Sequence, residues 1–76
     1  MIFDRIEWDE HNLDHATRRL TVAEIEQAIW NAPRMRANPR NPGRARIDSV
    51  TDGGKAVVII VALMPNGVRP ITGWEA

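Results

Sequence analysis

The sequence predicts an α+β domain in which two N-terminal helices pack on a small antiparallel β-sheet. Three observations predict this class. Two stretches in the first third of the chain begin with helix-capping residues, and the second half is rich in β-branched residues. Glycine-containing turns separate the predicted strands, which favours antiparallel neighbours. With 76 residues, the chain is expected to form a single domain that spans residues 1–76.

The chain opens with a predicted strand and continues into a short helix. Four apolar residues indicate the strand: Ile2, Phe3, Ile6 and Trp8. The last two lie on one face because side chains alternate along a strand. Asp9 then caps a helix that runs to about Thr17, since an aspartate oxygen accepts hydrogen bonds from the first free amides of a helix.

The second predicted helix begins after Thr21. Thr21 and Glu24 have the spacing of a capping box, in which each side chain bonds to the other residue's backbone amide. An apolar stripe follows at helical spacing, formed by Val22, Ile25 and Ile29. Asn31 and Pro33 end the helix, because proline lacks an amide proton and clashes with the preceding turn.

Three strands are predicted in the second half. Residues 45–50 alternate between two sets of side chains, which indicates a half-exposed strand. Residues 56–63, AVVIIVAL, are apolar on both faces and predict the central strand. The last strand covers residues 68–72. Turns are predicted at Asp52-Gly53-Gly54 and Pro65-Asn66-Gly67, where glycine allows backbone angles that other residues avoid.

A segment of concentrated positive charge, NAPRMRANPRNPGRAR, occupies residues 31–46. It contains no acid, although the whole chain has ten basic and ten acidic residues. Its arginines are Arg34, Arg36, Arg40, Arg44 and Arg46. We predict that the segment is the loop and edge strand that join helix to sheet. Its charge is expected to face an anion, either RNA or the acidic surface of a protein partner.

The position of each of these arginines in the chain predicts its role. Arg34, Arg36 and Arg40 lie among prolines, where we expect an extended and unpaired backbone. They suit attraction to an RNA backbone better than they suit chemistry. Arg44 and Arg46 share one face of the predicted strand by alternation, and Arg46 is also expected to bind RNA. A solvated strand face is the competing interpretation.

The three tryptophans receive different predictions. Trp8 and Trp30 are expected to pack in the core or between helix and sheet. Trp74 is expected to pack back on the first strand. Stacking on a base and filling a groove on a partner are the alternatives for Trp74.

Composition excludes several classes of protein. The chain has no cysteine, so disulfides and thiolate metal sites are excluded. The longest apolar run, residues 56–64, is shorter than the roughly 20 residues of a membrane-spanning helix. The N-terminus carries acids where a secretory signal has bases. We therefore expect a cytoplasmic protein without a membrane partner.

Two histidines are the candidates for proton transfer. Histidine is the side chain that exchanges protons near neutral pH, and His11 and His15 lie one turn apart on the first predicted helix. Their spacing also suits two zinc ligands, but no cysteine or third histidine completes a site. We expect no metal and no other cofactor. A half-buried histidine bonded to backbone or water is the competing interpretation for each.

Three stretches resemble BrnT-type proteins, the toxins of bacterial type II toxin–antitoxin pairs. They are WDEHNLDHATRRLTVAEIEQAI, RARIDSVTDGGKAVVIIVAL and VRPITGWEA. The resemblance implies a RelE-like fold, translation-inhibiting endoribonuclease activity on an RNA substrate, and a tightly bound cognate antitoxin. It also implies a site, because Arg44 and Arg69 match strand arginines of the family and His15 matches a position that often holds histidine. We therefore predict metal-independent RNA cleavage with His15, Arg44 and Arg69 as the catalytic residues.

The sequence departs from the family at three points. Arg18-Arg19-Leu20 stands where Arg-His-Gly is common, Ala45 replaces an aromatic residue, and Trp74 replaces an arginine. The missing junction histidine and Trp74 in place of arginine favour an alternative function. In that alternative, the chain is a catalytically degenerate binding module that engages a protein partner or nucleic acid through its arginine-rich segment.

Overall fold

Five strands form one mixed sheet, and two helices accompany it, within the residues that the computed structural model describes: 5–31, 34–65 and 67–76. The α+β class is confirmed. The elements are β1 (Arg5–Ile6), α1 (Glu10–Ala16), α2 (Val22–Trp30), β2 (Arg34–Asn38), β3 (Asn41–Val50), β4 (Ala56–Met64) and β5 (Gly67–Glu75). The order across the sheet is β1-β5-β4-β3-β2. Ile2 and Phe3, assigned to the opening strand, lie outside the described residues.

Both helices begin as their capping residues predict. The Asp9 side chain accepts hydrogen bonds from the amides of His11 and Asn12, and the Asn12 side chain accepts one from the amide of Asp9. Thr21 and Glu24 form the predicted reciprocal box at the start of α2. Each box satisfies amides that the first helical turn leaves without a partner.

The sheet is mixed, so the prediction of a purely antiparallel sheet is wrong at one edge. The pairs β2–β3, β3–β4 and β4–β5 are antiparallel. At the edge, β1 runs parallel to β5, with Arg5 opposite Gly67 and Ile6 opposite Val68. A tight turn imposes an antiparallel pair, but β1 and β5 are separated by every other element of the fold. Their orientation is therefore set by packing.

The backbone of the arginine-rich segment is paired, so the prediction that it is unpaired is wrong. Arg36 and Ala37 on β2 lie opposite Arg46 and Ala45 on β3. The reason is the placement of the prolines, which occupy positions 33, 39 and 42 and leave residues 34–38 free of proline. Every residue of β2 therefore keeps an amide proton for the ladder.

The two faces of the sheet differ in composition. One face packs against α2 and forms the core, in which the largest buried side chains include Ile25, Ile29, Ile47 and Ile59. The other face carries Arg36, Arg44, Arg46 and Arg69, because residues that pair across strands point to the same side. We call it the arginine face. Helix α1 packs against β5.

The tryptophans are placed as predicted in one case of three. Trp8 packs against the core and donates its indole N–H to Glu26 at 2.9 Å. Trp30 is 45% exposed, so its core assignment is wrong. It follows Ile29 by one residue, and one residue is a rotation of about 100° away from the apolar stripe. Trp74 lies opposite Val58, far along β5 from the positions that pair with β1, so it does not pack on that strand.

No helix in the described ranges is long and apolar enough to cross a membrane.

Candidate functional site

A cavity of about 220 Å³ lies between α1 and the arginine face. We call it the histidine cavity. Its lining residues come from α1, β3, β4 and β5: His11, Asn12, His15, Arg44, Ala62, Arg69 and Ile71. The three residues predicted to be catalytic, His15, Arg44 and Arg69, therefore line one cavity. They are separated by up to 54 positions, 69 minus 15, in the sequence.

The sheet register brings the two arginines together. Arg44 on β3 lies opposite Ala62 on β4, and Ala62 lies opposite Arg69 on β5. The three side chains thus form one row on the arginine face. Two strand spacings separate the arginine backbones by roughly 10 Å. Since the residue between them is an alanine, both long side chains can approach one anion from opposite sides.

The two histidines face each other on α1. The centroids of the His11 and His15 rings lie 4.9 Å apart, with the ring planes inclined by 60°. This confirms the prediction that they share a helix face. Both side chains are exposed, so solvent and ligands can reach the two rings.

Asn12 attaches α1 to the sheet. It is 3% exposed, and its Nδ2 donates to the carbonyl oxygens of Glu7 at 3.0 Å and Pro70 at 2.9 Å. Sequence reasoning gave Asn12 no role. Its position three residues after an aspartate cap signals the local half of this arrangement, since that spacing suits a reciprocal box. The bond to Pro70, 58 positions away, has no such signal.

Two carboxylates hold Arg69 in place. Its Nη1 contacts Asp9 Oδ2 at 2.5 Å and Glu7 Oε1 at 3.4 Å. The hydrogen bond from Arg69, followed by the bond from the Asn12 amide, lowers the pKa of Asp9 from 3.8 to about 2. The bond to Asp9 in turn raises the pKa of Arg69. Sequence reasoning assigned Asp9 only as a helix cap and missed Glu7.

The guanidinium of Arg69 keeps donors for a ligand. Both carboxylates contact Nη1, and no acceptor among residues 5–31, 34–65 and 67–76 bonds to Nε or Nη2. Arg44 differs, because it is exposed and its guanidinium makes no ion pair within the same residues. A planar guanidinium with free N–H groups can bond two oxygens of one phosphate.

The four residues predicted to bind RNA do not all line one cavity. Arg36 and Arg46 line a second cavity of about 260 Å³ at the β2–β3 hairpin, which also includes Arg44. We call it the hairpin cavity. Arg40 is exposed in the hairpin turn and lines neither cavity. Arg34 lies on β2, and its side chain is outside what the structure describes.

Arg46 does not reach the histidine cavity, although it shares the face of Arg44 as predicted. Its Nε and Nη2 donate to Asp48 Oδ1 at 3.2 and 3.0 Å. This bond raises the pKa of Arg46 and partly neutralises its charge. Two arginines rather than three therefore line the histidine cavity.

A third cavity, of about 340 Å³, continues past the other side of His15. It is lined by His15, Arg18, Arg19, Ile71, Thr72 and Gly73. Arg18 forms an i,i+4 ion pair with Asp14 at 3.9 Å. Because His15 and Ile71 line both cavities, the positively charged surface extends from the hairpin to the C-terminal end of α1.

Comparison of the chain with protein-family models, curated proteins and solved structures finds no match. The chemistry open to the site therefore follows from its geometry. No group of three or more His, Cys, Asp or Glu residues in the described part of the chain could hold a metal ion. Two imidazoles beside two guanidiniums offer proton transfer and binding of a phosphate or carboxylate.

Proposed function

We propose that the chain is a metal-independent endoribonuclease, the translation-inhibiting toxin of a type II toxin–antitoxin pair. It has the RelE-like fold of BrnT-type toxins, acts in the cytoplasm and is neutralised by a cognate antitoxin. One observation carries the proposal. Two histidines on α1 and two arginines on the sheet line a single cavity, although these residues belong to three separate elements.

The arginines bind the scissile phosphate. Arg44 presents a guanidinium without an acidic partner in the described chain, and Arg69 presents the Nε and Nη2 donors that its carboxylates leave free. Cleavage of RNA passes through a phosphorane that carries more negative charge than the phosphate. Donors already in place stabilise that charge without reorganisation, which is how such groups accelerate a reaction.

The histidines transfer protons. Neutral His15 accepts the proton of the ribose 2′-hydroxyl as the 2′-oxygen forms a bond to the adjacent phosphorus. The bond from phosphorus to the 5′-oxygen then breaks, and that oxygen takes a proton from the imidazolium of His11. The products are a 2′,3′-cyclic phosphate and a 5′-hydroxyl end. The 4.9 Å between the ring centroids supports this division of roles, because two rings this close together can both reach one phosphate.

Purified protein incubated with RNA tests this function, with the end groups of the products analysed. We expect His15→Gln to lower kcat by a factor of about 10² to 10⁴, the usual contribution of a general base. Arg44→Gln is expected to lower it by about 10² to 10³, the usual contribution of one charge-stabilising donor. Arg44 is preferred to Arg69 because removal of Arg69 also breaks the contacts with Asp9 and Glu7.

Arg40→Gln is the matched control. It removes the same charge from an exposed arginine that lines neither cavity. Any loss of attraction for the RNA backbone then appears in KM, and kcat should stay unchanged. Cleavage by His15→Gln with the rate and pH profile of the wild type would exclude His15 as the base. Induced expression adds a test in cells, where growth arrest with fragmented RNA should be relieved by the same two cavity variants.

A non-catalytic binding module is the second candidate function. The observation in its favour is that two carboxylates contact Arg69, so one of the two phosphate-binding cations is already partly neutralised. Such a module would bind RNA with a steep dependence on salt but release no cleavage products. Intact RNA after long incubation with folded, RNA-binding protein would favour this function over the nuclease.

A further inference from the structure

We propose that the hairpin cavity is a nucleotide subsite, which binds the base and phosphate next to the scissile phosphate in a single-stranded RNA. The inference rests on the proposed function, because it assigns a second position to the same substrate. The cavity is lined chiefly by Arg36, Ala37, Pro39, Arg44, Arg46 and Ile60.

Arg44 connects the two cavities. It lines both the hairpin cavity and the histidine cavity, so a group bound in one is adjacent to a group bound in the other. Across the sheet, Arg46 pairs with Ile60 in the row next to that of Arg44 and Ala62. Consecutive positions on one strand face are roughly 7 Å apart, which is the scale of one nucleotide step.

The lining distinguishes a nucleotide from a free phosphate. Pro39 and Ile60 supply aliphatic surface, which a phosphate ion has no means to use. A base has flat apolar faces that pack against such surface and stack on guanidinium planes. The volume of about 260 Å³ lies below the range of about 300 to 1,000 Å³ that drug-sized ligands occupy, and therefore suits a single base.

The charges favour an anion beside the base. Arg36 and Arg46 lie directly opposite each other across two strands, a like-charge pair that is unfavourable by itself. Asp48 bonds to Arg46 and offsets one of these charges. Arg36 and Arg44 form no ion pair within the described residues. The cavity thus combines apolar surface with the guanidinium of Arg36, which remains to bind the neighbouring phosphate, and with Arg44, which is shared with the scissile phosphate.

The test uses RNA that cannot be cleaved. The probes are 2′-O-methyl triadenylate and the same oligonucleotide with an abasic residue at its 5′ or 3′ end, each titrated into the full chain by NMR. Stacking of a base increases affinity, so removal of the base that occupies the subsite should weaken binding. One of the two abasic probes should therefore bind at least about fivefold more weakly than the intact probe. The charge of the probes is the same, so the difference reports on the base.

Three variants locate the effect. Arg36→Gln should weaken binding of the intact probe and reduce the difference in affinity between the intact and abasic probes. Arg36→Lys keeps the charge but loses the planar group, so it should retain the salt dependence and lose that difference. Arg40→Gln, an exposed arginine in the turn of the same hairpin, should keep the difference. Both positions, 36 and 40, are exposed, and a thermal melt checks the folding of the three variants.

The outcomes separate the two proposals. Equal binding of intact and abasic probes, or equal effects of Arg36→Gln and Arg40→Gln on their difference, would overturn the nucleotide subsite while leaving cleavage to be judged by His15→Gln. A base-dependent affinity that is lost in Arg36→Gln supports the subsite whether or not the protein cleaves RNA, since the 2′-O-methyl probe cannot react.

Discussion

Two arginines at opposite ends of one cross-strand row occupy very different surroundings. Arg69, beside α1, is 25% exposed in its side chain and contacts two carboxylates. Arg44, beside the hairpin, is exposed and has no ion pair in the described ranges. Residue type alone does not separate their roles. Their neighbours do, because paired charges fix a guanidinium in position while an unpaired guanidinium remains available for a ligand.

The two sides of the row also differ in how they are built. The α1 side depends on contacts between distant parts of the chain, such as Asn12 with Pro70 and Arg69 with Glu7. The hairpin side is formed by β2 and β3, which are joined by a two-residue turn. Single substitutions should therefore disturb the α1 side much more than the hairpin side.

The largest difference is expected between two asparagines. Asn12→Ala removes one acceptor and two donor bonds at a position that is 3% exposed, and leaves buried backbone groups without partners. We expect the free energy of unfolding to fall by about 2 to 4 kcal/mol. Asn38→Ala removes one exposed bond, to the amide of Arg40, and should cost less than about 1 kcal/mol. Urea denaturation measures both, and equal losses would contradict the contrast.

Two glycines provide a second comparison, with a smaller expected effect. A Cβ on Gly67 would overlap the carbonyl oxygen of Arg5, so Gly67→Ala must move β1 away from β5. The cost expected for such overpacking is about 1 to 3 kcal/mol. A Cβ on Gly43, in the hairpin, has no neighbour closer than Asn41 Oδ1 at 3.8 Å, so Gly43→Ala should fold normally. Thermal melts of the two variants measure this difference in stability. A stable Gly67→Ala would show that β1 is easily displaced.

The smallest expected effect is a change in acid sensitivity. The pKa of Asp9 is lowered from 3.8 to about 2, so its contribution to stability is fully present above about pH 4 and is lost as the pH falls through about 2. Arg69→Gln removes the largest cause of that shift, and it should lose less stability than the wild type between these pH values. Arg44→Gln should follow the wild-type curve.

The acid titration has an internal check. The bond from Lys55 also lowers the pKa of Glu24, which contributes acid sensitivity of the same sign. That pair is common to the wild type and both arginine variants, so it cancels when their curves are compared. Urea midpoints measured across this pH range provide the comparison. Parallel curves for the wild type and Arg69→Gln would show that the Arg69–Asp9 ion pair does not contribute to stability.

The sequence by itself determined the features that depend on near neighbours. Asp9 with Asn12, and Thr21 with Glu24, start helices because the bonds span three residues. The alternation of β3 placed Arg44 and Arg46 on one face of that strand. The i,i+4 spacing placed His11 and His15 on one face of α1. The proline-free run of residues 34–38 is also visible in the sequence. The prolines on either side of it led to the wrong prediction of an unpaired backbone.

Only the tertiary structure decided which of these local features meet. It placed β1 parallel to β5, set α1 against β5, and so brought the histidine pair to Arg44 and Arg69. It also gave Arg69 its partner Glu7, 62 positions away. Periodicity encodes a contact only over a few residues, where backbone geometry fixes the distance. Contacts across the whole chain depend on how the buried faces pack, and no spacing in the sequence records that.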